Sequence, residues 1–449
     1  METIDRFLDV HVERAGRTTV ISPDEYRKYN CKRGLRNEDG TGVLVGLTEI
    51  GEVHGYIIDE GERIPAPGRL SYRGVDVADI VAGYQSDGRS GFEETAYLLL
   101  FGTLPTPDEL DEFTRIIASR RELPPGFTED MVLRAPSSDI MNKLARSTLV
   151  CYSYDDRAED TSLRNIISQC IDLIARFPAM IAYSYQAKRH YFDNESLYIH
   201  APDRSLSCAE NFLQMIRPDR AYTSIEAQTL DLALVLHAEH GGGNNSAFTV
   251  HVVSSAATDA YSTIAAAIGS LKGAKHGGAN NRVMAMMDDI KANVSDWTDA
   301  TAVRDYLERI IRKEVGDQSG LIYGMGHAVY TVSDPRAVLL KEKAETLARE
   351  KGREDEFRLY SLIEDLVPDA FRRVKGYDRV IAPNVDFFSG FVYSMLNIPP
   401  ELYTPIFAMS RIAGWCAHLI EEVVSGGRII RPAYKCVMPR RPYTAMAER

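Results

Sequence analysis

The chain has few features of secreted, membrane-spanning or nucleic-acid-binding proteins. Its six cysteines are scattered without short pair spacing, and the N-terminus lacks the basic and apolar regions of a signal peptide. We therefore expect a reducing, cytoplasmic location. The longest apolar stretch, 256–271, is interrupted by polar residues and is shorter than the roughly 20 residues that span a bilayer. This predicts no membrane segment. No glycine-rich phosphate loop or paired-cysteine metal site is recognisable.

Positive charge is also scarce relative to negative charge. The formal net charge of -12 argues against a general nucleic-acid or anionic-membrane surface, so an anionic substrate must be bound by a few placed cations. With 449 residues, of which 45% are hydrophobic, the chain can bury a core larger than one compact domain usually holds. The sequence thus predicts two domains, or one large domain with an insertion.

Helical signals dominate after an early β-rich stretch. Residues 43–73 alternate short apolar runs with glycine and proline, which predicts a hairpin. Further on, capping signals recur at Thr106, followed by Pro107, and at Thr223, three residues before Glu226. We predict a mainly α-helical protein with a small N-terminal β-hairpin region, including helices over 224–237, 259–271, 335–352 and 404–426.

Four glycine-flanked segments present histidine or aspartate next to residues that let the backbone turn sharply. Such segments deliver polar groups from element ends into a shared cleft. Their histidines and aspartate form a set suited to acid–base chemistry. The segments are 236–245, 271–280, 324–330 with 334–336, and 384–390.

Taken in this order, these segments resemble the citrate synthase family. The resemblance runs from about Gly42 to Pro432 and includes the segments 70–74, 96–102, 334–336, 407–411 and 428–432. It implies that His276, His327 and Asp386 are the catalytic residues. It also implies a two-domain helical fold, with a large domain at 1–276 and 390–449 and a small domain at 277–389.

The implied chemistry accounts for these residue types. Enolisation of a thioester methyl group needs a carboxylate base, Asp386, and a hydrogen-bond donor to the thioester oxygen, His276. We predict that a helix starting near Asn280 keeps His276 neutral, because a helix N-terminus disfavours imidazolium. His327 then protonates the carbonyl oxygen of the second substrate. The acyl-CoA is a substrate, so the resemblance implies no cofactor.

The resemblance assigns the carboxylates of oxaloacetate to Arg336, Arg411 and Arg431, with a further contact from His240. An arginine fork pairs with a carboxylate through two parallel hydrogen bonds. In the family, the arginine that matches Arg431 reaches the partner subunit's site, which implies a homodimer or a higher homo-oligomer. Arg411 could instead be a salt-bridge partner inside its helix, and Arg431 a solvated loop residue.

Many relatives carry a basic residue after the second catalytic histidine that helps to hold coenzyme A phosphates, whereas Ala328 and its neighbours supply none here. Lys272 and Lys275 are the candidates to replace it, unless they are ordinary exposed lysines. His237 and His240 have the spacing of a metal pair, but no third ligand is evident. We assign no metal, and we interpret His237 as structural.

Three functions are in competition. The leading one is synthesis of citrate from acetyl-CoA and oxaloacetate. A close rival is 2-methylcitrate synthesis from propionyl-CoA, since one methylene changes specificity by only ~1–3 kcal/mol. The third is a catalytically silent helical scaffold or regulator, against which the intact trio of His276, His327 and Asp386 counts. The sequence leaves open the acyl preference, the assembly beyond a dimer, allosteric control, the pathway and the role of the residues before Gly42.

Overall fold

The computed structural model describes residues 2–18, 20–37, 40–59, 62–327, 329–376 and 380–449, so Ala328 lies outside the described residues. The described parts form seventeen α-helices and one three-stranded sheet, which confirms the mainly α-helical prediction. The first eight helices are α1 Glu2–Thr18, α2 Pro23–Lys28, α3 Val77–Ser86, α4 Phe92–Phe101, α5 Pro107–Ser119, α6 Ile140–Cys151, α7 Leu163–Asp193 and α8 Cys208–Ile216.

The remaining helices contain most of the predicted site. They are α9 Ser224–His237, α10 Asn245–Ser254, α11 Ala260–Lys272, α12 Ala279–Asn293, α13 Ala300–Ile311, α14 Pro335–Lys351, α15 Glu354–Lys375, α16 Val385–Met395 and α17 Tyr403–Ser425.

The sheet confirms the predicted hairpin. Strands β1 (Gly51–Asp59) and β2 (Glu62–Tyr72) pair antiparallel, with a register shift between His54 and Tyr56, and the short β3 (Val75–Asp76) pairs with β2. The hydroxyl of Tyr72, at the end of β2, donates to the carbonyl of Val235 at 2.9 Å. The hairpin thereby holds the C-terminal end of α9.

Local capping explains most helix boundaries. Thr106 and Thr223 both form the predicted capping boxes, Asp334 caps α14, and α14 ends at Gly352 in the left-handed conformation. The predicted start of the last helix is wrong by one residue, because α17 begins at Tyr403. Thr404 does not cap this helix, and its hydroxyl donates to the carbonyl of Gly277 at 2.9 Å.

The chain folds into two compact units. One comprises Met1–Gly46 and Arg431–Arg449, and the other comprises Leu47–Ile430. Within the second unit, α17 packs against α4, α7, α9, α10 and α11, while α13 packs on α15, and α12 and α14 pack on α16. Two basic side chains of α17, Arg411 and His418, are completely buried. Buried ionisable groups in a central helix need partners or a function.

Helix α7 is long and apolar enough to cross a membrane by length and composition alone. It is a different segment from 256–271, the longest apolar stretch found in the sequence. In the fold, 72% of its most apolar window is buried among other helices. A core helix of a water-soluble protein has this property too, so α7 is weak evidence for a membrane segment.

Candidate active site

Helix α9 delivers His237 and His240 to the centre of the second unit. Its capping box fixes the start, and its apolar side chains are buried around most of the circumference, as the sequence predicts. Helix α17 passes very close to the residues that follow α9. A Cβ at Gly414 would lie 2.4 Å from the carbonyl oxygen of Ala238, so only glycine allows this approach.

Arg411 lies in this region of close approach, fully buried. Its Nε donates to the carbonyl of His237 at 2.7 Å, and its guanidinium stacks 4.7 Å from the centroid of the Phe407 ring. Neither Nη1 nor Nη2 has a hydrogen-bond partner within the described chain. Burial lowers the pKa of Arg411 to about 10. The guanidinium therefore presents two unpaired donors, as an anion-binding group does.

Arg336 is held differently. Its Nε and Nη2 donate to the carboxylate of Asp334 at 3.0 and 2.7 Å, and its own backbone N–H is capped by that carboxylate. Both side chains are buried, and Asp334 raises the pKa of Arg336 against the opposing effect of burial. Asp334 also accepts from the backbone N–H of Val385 at 3.3 Å. One carboxylate thus aligns Arg336 with the first turn of α16.

The segments carrying His327 and Asp386 lie side by side. Met325 and Pro383 form an antiparallel bridge, and the side-chain amide of Asn384 donates to the carbonyl of Gly326 at 2.9 Å. Gly324 has φ +78°, and a Cβ there would lie 2.9 Å from the Cα of Phe387. A side chain at this position would therefore push the two segments apart.

Backbone groups define the tautomer of His327. The N–H groups of Val329 and Tyr330 approach its Nδ1 at 3.1 and 3.2 Å, so Nδ1 accepts and the proton lies on Nε2. The ring of His327 lies 5.1 Å from that of His240 and 4.7 Å from that of Tyr330, between centroids. His240 Nε2 has no hydrogen-bond partner among the described residues. Burial, followed by nearby Arg336, holds the pKa of His240 well below its usual range.

The surroundings of His276 favour the neutral imidazole that the sequence predicts. Burial and then the charge of Arg411 lower its pKa to about 4, while α12 begins three residues later at Ala279. Its Nε2 lies 3.1 Å from the hydroxyl of Ser246, which also accepts from the indole N–H of Trp415 at 3.1 Å. No pattern in the sequence points to Ser246 as a contact of His276.

Asp386 lies in the first turn of α16, where its backbone N–H is capped by Asn384. Burial raises the pKa of Asp386 to about 6, with Arg336 and Arg411 opposing the shift and Asp334 adding to it. A carboxylate that titrates close to neutral pH is suited to act as a general base. The charges of the two arginines therefore act directly on the pKa of Asp386.

His237 belongs to the same cluster, although the sequence analysis interprets it as a structural residue. Its ring lies 4.6 Å from that of Phe407, which also faces His276 at 6.4 Å. Its Nδ1 is buried without a partner in the described chain, and burial, then Arg336 and Arg411, lowers its pKa strongly. The structure brings seven predicted or suspected residues together: His237, His240, His276, His327, Arg336, Asp386 and Arg411.

Three predicted residues are not part of this cluster as described. Lys272 and Lys275 are exposed, and Lys272 pairs with Asp139 at 3.1 Å, both being about half exposed. Arg431 belongs to the other compact unit, where it is exposed and outside any helix or strand. Their proposed roles remain predictions.

Comparison with known proteins identifies the family. A family model described as "Citrate synthase, C-terminal domain" matches residues 38–433, nearly the whole chain. The chain belongs to the citrate synthase family. This match begins and ends within a few residues of the resemblance found in the sequence, which confirms it.

Relatives cover the chain almost end to end. The citrate synthase of Haloferax volcanii is 36% identical, over 89% of this chain and 94% of its own length. The 2-methylcitrate synthase of Shewanella oneidensis is 33% identical, over 83% and 90%. Among solved structures, citrate synthase from Thermoplasma acidophilum in ternary complex with carboxymethyl coenzyme A and oxaloacetate has a TM-score of 0.75 and 28% identity, over 93% of this chain and 99% of that one.

Membership in the citrate synthase family makes this chain a carbon–carbon bond-forming acyltransferase. The clustered histidines, arginines and Asp386 form one site of buried and half-buried side chains. The 2-methylcitrate alternative has no better support than before, since its relative is no more similar than the citrate synthases.

Proposed function

We propose that this chain condenses acetyl-CoA with oxaloacetate and water to give citrate and free CoA. The observation that carries the proposal is the buried guanidinium of Arg411, whose two terminal nitrogens lack partners in the described chain. Glu239 and Asp386 attract this cation, but buried N–H groups without hydrogen bonds cost free energy unless a ligand pairs with them. A small dicarboxylate supplies that pairing, and the proton donor His327 and the base Asp386 line the same cluster.

Arg411 and Arg336 are the proposed carboxylate ligands. Asp334 accepts hydrogen bonds from Nε and from one hydrogen of Nη2 of Arg336. Nη1 and the second hydrogen of Nη2 are therefore left for a ligand. His240 adds Nε2, which has no partner among the described residues. Because burial keeps this ring neutral, its Nε2 can donate one hydrogen bond when the proton is on that nitrogen.

In the proposed reaction, the carboxylate of Asp386 removes a proton from the methyl group of acetyl-CoA. The negative charge that develops on the thioester oxygen accepts a hydrogen bond from neutral His276. The carbon of this enolate then attacks the ketone carbon of oxaloacetate, the Nε2 proton of His327 passes to the ketone oxygen, and the proton taken up by Asp386 afterwards replaces the one that His327 gave up. Water afterwards cleaves the thioester of the adduct, which releases citrate and CoA.

Ser246 can select the tautomer that this role requires. Trp415 can only donate, so it uses one lone pair of the Ser246 oxygen, and the hydroxyl proton has two acceptors within reach, Asn244 Oδ1 at 2.9 Å and His276 Nε2 at 3.1 Å. When the proton points to His276, the imidazole carries its own hydrogen on Nδ1. Nδ1 is then the donor to the thioester oxygen.

The remaining features are part of the same proposal. We infer that 277–389 is the small domain, whose helices α12 to α16 pack mainly on one another, although the boundary at 389 falls within α16. We propose that Arg431 completes the site of a partner subunit in a homodimer and that Lys272 and Lys275 hold coenzyme A phosphates. All six cysteines are free thiols, which supports a cytoplasmic location.

A steady-state comparison tests the proposal. The chain is supplied with oxaloacetate and either acetyl-CoA or propionyl-CoA, and the released thiol is followed with a thiol reagent. We expect a higher kcat/KM for acetyl-CoA, and no release without oxaloacetate. A preference for propionyl-CoA would replace the proposal with 2-methylcitrate synthesis. Folded protein that releases no thiol from either substrate would be a silent helical scaffold.

A further inference from the structure

A second cluster of ionisable side chains lies outside the residues used in the proposed reaction. His251 comes from α10, while His418, Glu421 and Glu422 come from the C-terminal half of α17. Glu239 joins them from the segment after α9. His418 and Glu239 are completely buried, and His251, Glu421 and Glu422 have side chains only 13 to 16% exposed.

Each of the two histidines is bound to a carboxylate through its outer nitrogen. His251 Nδ1 lies 2.9 Å from Glu422 Oε2, and His418 Nε2 lies 3.1 Å from Glu239 Oε1. An ionised carboxylate only accepts, so the outer nitrogens carry the protons. This carboxylate–histidine arrangement is the one that orients metal-binding imidazoles and makes them more basic.

The inner nitrogens consequently face each other with lone pairs. His251 Nε2 and His418 Nδ1 are 3.1 Å apart. Two neutral imidazoles in these tautomers repel at that distance unless a cation lies between them. The cation is either one shared proton or a metal ion.

Glu421 supplies the observation that favours a metal. Its Oε1 accepts from the backbone N–H of Glu49 at 2.7 Å, but its buried Oε2 has no hydrogen-bond partner in the described chain and lies 3.7 Å from His418 Nδ1. A shared proton needs no third group. The three inner ligand atoms lie within 4.8 Å of one another.

We propose that His251 Nε2, His418 Nδ1 and Glu421 Oε2 bind a zinc ion. Tetrahedral zinc with bonds of about 2.0–2.1 Å to nitrogen and about 2.0–2.2 Å to oxygen separates its ligands by roughly 3.3–3.5 Å. The separations of 3.1 and 3.7 Å need only small adjustments to match, while the ligand atoms of His251 and Glu421, which lie within 4.8 Å of each other, would have to move closer. Two imidazoles favour zinc or a similar transition metal over magnesium or calcium, which prefer oxygen ligands.

The fourth coordination position of the zinc ion is left for water. Gly242 lies next to the two histidines and has no side chain that would cover them. A Cβ there would lie 3.5 Å from His418 Cε1 and 3.6 Å from His251 Nε2. The ion would tie α10 to α17 and, through His418 and Glu239, to the backbone next to His240. We expect the ion to stabilise the packing of α10 against α17 next to the substrate-binding residue His240.

Spacing could not reveal this site, because the two histidines are 167 residues apart and the sequence analysis weighed only the pair His237 and His240. The ligands meet only because α10 packs against α17. The proposal therefore replaces the assignment of no metal with a site at different residues, and it is independent of the proposed reaction.

Metal binding to the full-length protein tests the proposal. After treatment with a chelator and dialysis, we expect calorimetry with Zn²⁺ to give one saturable site per chain and a higher melting temperature. Co²⁺ should give the intense visible absorption of tetrahedral coordination. His251→Gln should abolish both signals, and His190→Gln, at an exposed histidine outside the cluster, should leave them unchanged.

Glu422→Gln provides a second variant in case His251→Gln does not fold. It removes only the outer carboxylate, so it should weaken Zn²⁺ binding by about 10- to 100-fold while retaining the site. Absence of a saturable site in the wild-type protein, or equal binding by wild type, His251→Gln and Glu422→Gln, would overturn the proposal. The first result would identify a shared proton between the imidazoles, and the second would identify adventitious zinc elsewhere.

Discussion

Replacing Arg411 with methionine should separate stability from substrate binding. The side chain is fully buried, and its Nη1 and Nη2 have no partner in the described chain. Methionine has a similar length and no charge. We therefore expect Arg411→Met to bind oxaloacetate very weakly, while the unliganded protein is at least as stable as the wild type.

The expected change in stability follows from the lowered pKa of Arg411. Burial lowers the pKa of Arg411 from 12.5 to about 10, a change worth about 3 kcal/mol. Because the folded pKa of this cation is depressed, the destabilisation is fully present below pH 10 and is relieved only as the pH rises from there towards 12.5. The substitution also leaves the carbonyl of His237 unpaired, at a cost of about 1–3 kcal/mol. The net change in the free energy of unfolding should lie between zero and a gain of about 2 kcal/mol.

The binding side follows from the two lost donors. A hydrogen bond between charged groups contributes about 1.5–3 kcal/mol, so losing two costs about 3–6 kcal/mol. This corresponds to roughly a 100- to 10,000-fold higher Kd for oxaloacetate. Urea unfolding without ligand and calorimetric titration with oxaloacetate measure the two effects separately.

Arg121 provides a matched control. It is also buried, but its Nη1 donates to the carbonyls of Asp203 and Leu206 at 2.8 and 2.6 Å, and its Nη2, which makes no hydrogen bond, lies 3.7 Å from the carboxylate of Glu93. Arg121→Met should therefore destabilise the protein and leave the Kd for oxaloacetate unchanged. If Arg411→Met is as destabilised as Arg121→Met and still binds oxaloacetate, Arg411 is a structural residue and the reasoning is refuted.

Four further predictions concern the same site. Asp386→Asn should lower kcat by orders of magnitude with little change in the Kd for oxaloacetate; a comparable loss of both would contradict its role as base. Since burial raises the pKa of Asp386 to about 6, kcat in the wild type should fall as the pH drops below this value, and a flat profile to about pH 5 would exclude it. Replacing Lys272 and Lys275 with Gln should raise the KM for acetyl-CoA and reduce the salt dependence of this KM. Most of the effect should come from Lys275, because Lys272 already pairs with Asp139. Unchanged kinetics across a salt series would show that both are solvated surface residues. Mixing inactive Arg431→Ala and Asp386→Asn dimers under subunit exchange should restore some activity, whereas exchange without recovery would place Arg431 outside the partner's site.

Local sequence by itself determined the helical elements and pointed to most of the candidate site residues. The capping box at Thr223, the Asp334–Pro335 start of α14 and the hairpin before Tyr72 depend on interactions within a few residues, so their patterns are visible in the chain. The glycine-flanked segments likewise contain His276, His327 and Asp386, and the family resemblance ordered them.

Only the tertiary structure decided how these groups behave. Arg411 has unpaired donors because α17 approaches the end of α9 at Gly414, and this packing also brings His237 into the site. His276 is neutral because it is buried near Arg411, a cause that no local pattern contains. Charges, tautomers and the pairing of His251 with His418 depend on contacts between residues far apart in the chain. Such contacts exist only after the helices have packed, which is why the sequence pointed to the residues but not to the contacts that shift their pKa values.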